Sequence, residues 1–352
     1  MAYSAILKPG DYFNNKLWTG TAAENAITGV GFQPDMTWIK QRDTTRDHNL
    51  FDAVRGATKR IYPNLTNAEE TAAQVLKSFN SDGFTLGTDS SANQNNGTYV
   101  GWNWKANGTG SANTDGTINS TSTSVNTTSG FSIITYTGDG NSGATIGHGL
   151  GVVPKLVMIK KLNGADAWFL TSEDLGWNKY LNLNANSAES GASNNSFTGT
   201  APTTTVFSVG SDSGVNGNGD TYVAYVWAEV KGFCKIGTWT GNGDANGPFI
   251  YTGFKPAWLM FKRTNSTGSF VIVDNQRLNN FNPQDRLLFP NTDASADGSG
   301  ETYNWDFLSN GIKARTTSGS YGNGNGDTYL YMSFAQSPFT ANVDGGLPTT
   351  AR

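Results

Sequence analysis

The sequence predicts an all-β protein made of three tandem β-sandwich or jelly-roll units, with at most one or two short helices. Composition is the first reason: 36% of the residues are hydrophobic, 12% are aromatic, only 15% are charged, and 43 of 352 are glycine. This balance is too apolar for disorder and too rich in glycine for long helices. Short apolar runs such as residues 131–136 and 155–160, bounded by small polar residues, are the second reason, because they are typical of strands.

A phrase that occurs three times is the third reason. In each copy a proline follows a glycine by three residues, and a lysine follows the proline by six: Gly31, Pro34 and Lys40; Gly151, Pro154 and Lys160; Gly253, Pro256 and Lys262. Such a repeat indicates a tandem array. Because proline is confined to strand starts, edges and bulges, the phrase predicts a turn that leads into a strand, with each lysine as a solvated charge at the strand end.

An aromatic segment marks the far end of each unit. It opens at Tyr99, Tyr222 and Tyr329. Both faces of the segment that starts at Tyr222 are apolar, which predicts a central strand covered on both sides. Four tryptophans in apolar strands at these landmarks are predicted to pack in the core: Trp38, Trp104, Trp227 and Trp258.

These landmarks divide the chain into a first sandwich unit at residues 1–106, a second at 131–231, and a third with a C-terminal tail at 232–352. Residues 107–130 are rich in Gly, Ser and Thr, which indicates either a flexible linker or an extra edge strand. The second junction is short, so we expect units two and three to pack closely and units one and two to be more loosely tied. One short surface helix is predicted at residues 67–77, which begin with a capping-type Asn.

Charge and cysteine content argue against several classes of protein. The net charge is −4, from 24 basic and 28 acidic residues, so the chain offers no basic field for nucleic acid. A single cysteine, Cys234, excludes an intrachain disulfide and is predicted to be a buried apolar residue. Residues 1–10 lack the apolar core of a signal peptide, and no apolar run is long enough to span a bilayer. We therefore expect a protein that is made in a cytoplasm and does not insert into membranes.

The sequence contains only weak candidates for a catalytic site, and we expect no enzyme activity. Only His48 and His148 exist, so each unit cannot carry a histidine-based triad, and His148 is predicted to be a loop residue. Glu173 and Asp174 are the one acidic pair to consider for glycoside hydrolysis. They are adjacent in a turn-like stretch, which is a poor arrangement for two acids that must face one cleft.

Oxygen-rich loops raise the alternative of a structural calcium ion. Asp212, Asn216, Asn218 and Asp220 offer oxygen ligands at short intervals. The bidentate Glu that closes a full calcium loop is missing, so these residues are also compatible with hairpin turns and helix caps. We expect no cofactor, and calcium remains the open alternative.

Tryptophans away from the landmarks are the candidate ligand-binding residues. Trp168, Trp177 and Trp305 are predicted to face solvent in loops, where their rings would stack on sugars beside Asn and Asp.

Several strings are similar to a repeat domain found in tail and other virion proteins of tailed bacteriophages, especially marine ones. They are GFQPDMTWIK at 31–40, LFDAVRGATKR at 50–60, SDGFTLG at 81–87, GFSIITYTG at 130–138 and GHGLGVVPK at 147–155. The ending, from residue 334 to 352, also resembles how such proteins close. Unit three departs furthest, because its segment 270–277 matches the segment around Asp52 and Arg55 only loosely. A shared role for those residues in unit three is therefore not expected.

The resemblance implies a lectin-like β-sandwich on a virion, and it supplies no catalytic residues. The leading hypothesis is a tail fibre or receptor-binding appendage that contacts host surface polysaccharide through repeated weak sites. The alternative is a capsid decoration or head-fibre protein with a purely architectural role, and a polysaccharide depolymerase is the third hypothesis. Partners would be other virion proteins and further copies of the chain in a homo-oligomer such as a trimer, although three units in one chain can also mimic a trimer.

Overall fold

The structure of the protein is a computed structural model that describes residues 4–193, 195–278, 281–296 and 303–338. We use the names unit 1 for residues up to 106, unit 2 for residues 107–231 and unit 3 for residues from 232 onward. Nearly all regular structure is antiparallel β-sheet, so the all-β prediction is confirmed. The segment 339–352, which takes part in the phage resemblance, lies outside the described residues.

Unit 1 forms one main sheet and smaller sheets. Its elements are a 3-10 turn at Pro9–Asp11, β1 (Phe13–Thr19), β2 (Asn25–Thr28), β3 (Met36–Gln41), β4 (Asn49–Asp52), β5 (Lys59–Arg60), β6 (Glu70–Thr71), β7 (Leu76–Asn80), β8 (Gly83–Leu86), helix α1 (Ser90–Asn93) and β9 (Thr98–Trp104). The main sheet has the order β1-β9-β3-β4. The strands β2, β8 and β7 form a smaller sheet, and β5 pairs with β6.

Unit 2 extends the same plan at both edges. Its elements are β10 (Ser120–Asn126), β11 (Phe131–Thr137), β12 (Ala144–Gly147), β13 (Leu156–Lys161), β14 (Trp168–Ser172), β15 (Leu181–Asn182), β16 (Val206–Val209), helix α2 (Ser213–Asn216) and β17 (Thr221–Trp227). The main sheet has the order β10-β11-β17-β13-β14-β15, and β12 pairs with β16. The segment 107–130 thus contributes an edge strand, β10.

Unit 3 again has a main and a smaller sheet. Its elements are β18 (Cys234–Thr240), β19 (Phe249–Tyr251), β20 (Phe254–Arg263), β21 (Val271–Asp274), β22 (Trp305–Leu308), β23 (Gly311–Ala314) and β24 (Thr328–Pro338). The main sheet has the order β18-β24-β20-β21, and β19, β23 and β22 form the smaller sheet. The four strands common to all three main sheets therefore follow one order, with the aromatic segments β9, β17 and β24 inside each sheet.

One face of each main sheet packs against the smaller sheet of its own unit, which makes a sandwich. In unit 1, for example, Ile39 and Tyr99 of the main sheet share a buried cluster with Ile27, Leu76 and Phe84. Equivalent clusters fill units 2 and 3. Burial of each such side chain contributes about 1.5–3 kcal/mol, so the outer sandwiches are a large part of the stability of each unit.

The other face of each main sheet packs into a core that all three units share. Trp38 and Trp102 of unit 1, Tyr225 of unit 2 and Trp258 of unit 3 all belong to this core. The rings of Trp102 and Trp258 meet edge to face, with centroids 6.4 Å apart. The main sheets are therefore apolar on both faces, which explains why the landmark tryptophans are buried as predicted.

Two predictions from the sequence are wrong, because contacts between distant segments determine the structure in both places. Residues 67–77 are not a helix, because Glu70–Thr71 pairs with β5 and β7 begins at Leu76. The helices that form instead are one-turn α1 and α2, and no helix in the described part of the chain is long and apolar enough to cross a membrane. Units 1 and 2 are also not loosely tied, since both contribute to the shared core.

The Gly-x-x-Pro phrase precedes β3 and β13 and leads directly into β20, whose first residues it includes. Gly31, Gly151 and Gly253 have positive φ values of 93°, 72° and 82°. L-residues with a Cβ rarely adopt this conformation, which explains the glycine. Pro256 lies inside β20, where the register with β24 shifts, in agreement with the confinement of proline to strand starts and bulges.

Candidate functional site at the unit interfaces

The three repeated lysines are buried, so the prediction that they are solvated is wrong. Lys40, Lys160 and Lys262 are at most 1% exposed. Each ammonium donates a hydrogen bond to the carbonyl oxygen of the next residue, Gln41 at 2.7 Å, Lys161 at 2.9 Å and Arg263 at 2.8 Å. Burial disfavours the charged form and lowers the pKa of each lysine to about 8.

Each ammonium also reaches a carbonyl oxygen of another unit. The acceptors are Asp293 of unit 3 for Lys40 (3.2 Å), Thr66 of unit 1 for Lys160 (3.2 Å) and Asn186 of unit 2 for Lys262 (3.4 Å). Unit 1 thus contacts unit 3, unit 2 contacts unit 1, and unit 3 contacts unit 2. The contacts form a closed ring within one chain.

Backbone hydrogen bonds reinforce each lysine contact. The same three carbonyl oxygens accept a 2.8 Å bond from the backbone N–H of Arg46, Asp166 and Gly268, respectively. Three residues further along each acceptor segment, the N–H groups of Ala296, Glu69 and Glu189 donate at 2.8 Å to the carbonyls of Arg42, Leu162 and Thr264. We call each set of one lysine bond and two backbone bonds a clasp. The 1–2, 2–3 and 3–1 clasps have the same residue spacing, so the ring has approximate threefold symmetry.

A buried ion pair lies beside the 1–2 clasp. Asp52 is paired with Met36 at the start of β3, and its Oδ2 accepts hydrogen bonds from Arg55 Nε at 2.6 Å and from Tyr225 Oη of unit 2 at 2.6 Å. Burial is the largest effect and lowers the pKa of Arg55, but its acidic partners, Asp52 first, together outweigh burial, so the pKa is raised. Burial raises the pKa of Tyr225 well above its ordinary value. Arg55 therefore stays charged, and Tyr225 stays neutral.

Unit 3 repeats this arrangement, contrary to the expectation that its segment 270–277 has no shared role. Asp274 holds the same register position as Asp52, because it lies opposite Trp258, which follows Pro256 by two residues as Met36 follows Pro34. Its Oδ2 accepts from Arg277 Nε at 2.6 Å and from Trp102 Nε1 of unit 1 at 3.0 Å. The loose sequence match hid this likeness, because only the acid and the arginine are shared.

The 2–3 interface is the exception. Ser172 holds the register position of the two aspartates, opposite Leu156. Leu175 stands at the arginine position and Met332 at the position of Tyr225, and both belong to the shared core. An apolar arrangement therefore replaces the ion pair at this interface.

Two of the three candidate sugar-binding tryptophans are not accessible. Trp168 and Trp305 are fully buried, so the prediction that they face solvent is wrong. Trp168 Nε1 donates to the carbonyl of Tyr62 of unit 1 at 2.8 Å, and Trp305 packs on Phe261 with ring centroids 4.9 Å apart. Trp177 is partly buried against the core of unit 2. Trp168 and Trp305 are therefore structural, because each ring is buried in the protein interior.

The candidate calcium ligands are engaged by protein donors. Asp212 caps α2 by accepting the N–H of Gly214 at 2.7 Å, and Asn216 is buried and binds Asp139 and Gly210. Asp220 Oδ2 lies 2.7 Å from Lys161 Nζ, and Asn218 is exposed in the adjoining turn. Nowhere in the described ranges do three or more His, Cys, Asp or Glu side chains form a metal-binding group.

Other singled-out side chains are also structural. Cys234 is buried as predicted, and burial raises the pKa of its thiol. His148 lies in a loop as predicted, although it is buried. His48 accepts the Trp38 indole N–H at 2.9 Å and lies 3.1 Å from the carbonyl of Phe289 in unit 3. Glu173 forms an ion pair with Lys155 in the turn after β14.

An exposed aromatic ring flanks one cavity near the junction of units 2 and 3. The cavity has a volume of about 360 Å³, and its walls include Tyr251, Thr252, Glu229 and Lys235. Tyr251 is 60% exposed. The sequence prediction considered only tryptophans as ligand-binding rings and therefore did not include Tyr251. The alternation of Phe249 and Tyr251 about Ile250 is the sequence pattern that indicates their exposure.

Comparison with known proteins yields one match. The model of the family described as Domain of unknown function (DUF7483) matches residues 8–338. No curated protein and no solved structure matches the chain.

Proposed function

We propose that this chain, which belongs to the family described as Domain of unknown function (DUF7483), is an architectural subunit of a bacteriophage virion. In this role its three units act as one rigid block that docks on other virion proteins. The assignment to a virion rests on the similarity of the repeated strings to phage tail and virion proteins. The architectural role rests on the ring of clasps.

The ring of clasps is the observation that supports this role. Each unit donates one lysine bond and one backbone bond to one neighbour and accepts one backbone bond from it. With its other neighbour these directions are reversed. Each main sheet also buries its inner face on the other two units. A chain closed in this way covers its own apolar faces and needs no further copy of itself to do so, whereas a flexible string of binding modules would keep its units independent.

Two measurements test the proposal. Mass spectrometry of purified particles from the phage that encodes the chain should detect it as a stoichiometric component, and antibody labelling should place it at a fixed position on the particle. In solution, the isolated chain should unfold in a single urea transition when followed by tryptophan fluorescence and by circular dichroism. Absence from particles would refute the virion role, and separate unfolding of the units would refute the rigid block.

Contact with host surface glycans is the second candidate function, and the cavity beside Tyr251 favours it. An exposed tyrosine next to charged and hydroxyl groups can stack on a sugar ring while Glu229 or Lys235 binds its hydroxyls. We expect Tyr251→Ala to reduce adsorption of the protein to host cells.

A matched control distinguishes this effect from a general loss of apolar surface. Phe249 is on the same strand and is 46% exposed, but it does not line the cavity. Phe249→Ala should therefore leave adsorption unchanged. Equal adsorption of wild-type protein and Tyr251→Ala would remove this candidate and would not affect the architectural role.

A further inference from the structure

Three arginines line a cavity beside the 3–1 clasp. Arg42 of unit 1 and Arg277 and Arg286 of unit 3 surround a space of about 320 Å³ whose wall also includes Ala296. Burial lowers the pKa of Arg42, and the nearby charge of Arg277 lowers it further. Guanidinium groups so close to one another repel, and an anion between them would relieve that repulsion.

Among the described residues, Arg277 Nη1 has no hydrogen-bond acceptor, whereas the equivalent nitrogen of Arg55 in unit 1 has two. Arg55 Nη1 donates to Glu69 Oε2 at 3.0 Å and to the carbonyl of Lys59 at 3.1 Å. Among the described residues, Arg277 Nη1 and Arg42 Nε are buried and have no hydrogen-bond partner. A buried donor without a partner is destabilising, and this is more pronounced for a charged group.

In unit 1, the Glu69 carboxylate is the partner of Arg55, and unit 3 has Ala296 at the position of Glu69. Glu69 and Ala296 hold the same clasp position, since the N–H of each donates the second backbone bond of its clasp. Ala296 therefore leaves open the space that the Glu69 side chain fills beside Arg55. At the same time Arg42 stands where the 1–2 clasp has Leu162. As far as the structure describes the chain, the 3–1 clasp thus has one acid fewer and one base more than the 1–2 clasp.

Within the described ranges, the nearby acids do not fill this space. Asp274 Oδ2 is bonded to Arg277 Nε and to Trp102, and its Oδ1 accepts two backbone N–H groups. Asp43 lines the cavity but accepts from Gln41 Nε2 at 2.9 Å and from the N–H of Thr98 at 3.0 Å. Asp285 Oδ1 lies 3.7 Å from Arg286 Nε, and Asp285 does not line the cavity.

We propose that the cavity between Arg42, Arg277 and Arg286 is a binding site for an oxyanion, which takes the place that the Glu69 carboxylate has in unit 1. Ligands of this class are the carboxylate of an acidic saccharide, sulfate and phosphate, and the volume suits a group up to about the size of a monosaccharide. Because the unpartnered nitrogens are buried, the ligand reaches them when the half-buried Arg42 and the 44% exposed Arg286 side chain shift. This site does not depend on the proposed virion role.

Titration calorimetry of the full chain at low ionic strength tests the site. The probes are sodium glucuronate, sodium sulfate and sodium phosphate, with glucose and sodium chloride as ligands of the wrong chemistry. At least one oxyanion should bind with one-to-one stoichiometry, and comparison of the three identifies which oxyanion the site prefers. Glucose and chloride should not bind.

Two variants copy the chemistry of the 1–2 clasp into the site. Ala296→Glu supplies the internal carboxylate, and Arg42→Leu removes the additional guanidinium. Each should weaken oxyanion binding at least about tenfold, as expected for loss of a charge-assisted bond. Ala296→Glu should also raise the melting temperature without ligand, because Arg277 Nη1 gains a partner.

Ala294→Glu is the control for the added charge, because it lies in the same segment but does not line the cavity. This variant should bind the oxyanion within about threefold of wild type, since a partly exposed charge outside the cavity wall is screened by solvent and has a small effect. The proposal is overturned if none of the three oxyanions binds, or if Ala296→Glu and Arg42→Leu bind as tightly as wild type. It is equally overturned if Ala294→Glu weakens binding as much as Ala296→Glu does.

Discussion

The 1–2 and 2–3 interfaces share the clasp but differ in the side chains beneath it. Beneath the 1–2 clasp, a buried aspartate and arginine bind each other and Tyr225 of the neighbouring unit. Beneath the 2–3 clasp, Ser172 and Leu175 stand in their places. The same backbone geometry therefore tolerates both chemistries, which indicates that the clasp and the shared core, rather than the ion pair, determine how the units dock.

The comparison also indicates what a buried ion pair contributes. Two charges removed from water attract each other strongly, but that attraction mainly offsets the loss of hydration. A protein with the intact pair is then about as stable as one with apolar residues of similar volume in its place. Removal of only one partner is strongly destabilising, because it leaves a buried charge without its counter-charge. The three interfaces of one chain provide all the positions that are needed to measure this difference.

The largest effect is expected when the ion pair is broken on one side. Asp52→Ala leaves Arg55 buried without its main counter-charge and leaves the hydroxyl of Tyr225 without an acceptor. We expect the free energy of unfolding to fall by about 3–5 kcal/mol, as measured by urea unfolding. Ser172→Ala changes the equivalent register position of unit 2 and should cost less than about 1 kcal/mol. Similar losses in the two variants would show that the ionic interface has no special dependence on its aspartate.

The lysines that all three clasps share should give the next largest effect, as a dependence on pH. Their folded pKa of about 8 lies below the ordinary value of 10.5. Between these values the unfolded chain holds more protons than the folded chain, so stability rises with pH in this window and is lost as the pH falls through 8. From pH 7.5 to 9 we expect a gain of about 1 kcal/mol per lysine.

The triple variant Lys40→Met, Lys160→Met and Lys262→Met isolates this contribution. It should fold, because the carbonyl acceptors of the neighbouring units keep their backbone donors. Its stability should vary less between pH 7.5 and 9 than that of wild type, by about 3 kcal/mol in total. Groups such as Cys234 are common to both proteins and cancel in the difference. Parallel pH profiles would contradict the assignment of the low pKa values to these lysines.

The sequence predicts which residues form strands better than it predicts which distant segments pack against them. Apolar runs and the glycine before β3, β13 and β20 are local signals, and the strands they predict are present. The burial of Lys40 is not predicted because a charge at a strand end is usually solvated, whereas the segment around Asp293, more than 250 residues away, contacts it. Residues 67–77 have good helix propensity, but pairing with β5 and the clasp through Glu69 determine their conformation.

The likeness of Asp52 and Asp274 was missed for a related reason. A sequence comparison weighs every position of the segment equally, whereas the structure keeps only the acid, the arginine three residues later and a donor from the next unit. Two shared residues within eight are a weak pattern. The third group, a hydrogen-bond donor to the aspartate, comes from a different unit, so the sequence around the aspartate does not contain it. The candidate tryptophans failed in the same way, because burial is decided by segments distant in the sequence.

The smallest effect is expected when the 1–2 interface is converted as a whole. The variant Asp52→Ser, Arg55→Leu and Tyr225→Met copies the residues of the 2–3 interface and leaves no buried charge from the pair. Glu69 would lose Arg55 but is partly exposed and lies 3.9 Å from Lys59. We expect the triple variant to unfold within about 1.5 kcal/mol of wild type, and thus to be more stable than Asp52→Ala alone although it carries more changes. If it is instead less stable than Asp52→Ala, the ion pair is a net source of stability at this interface and the clasp alone does not determine docking.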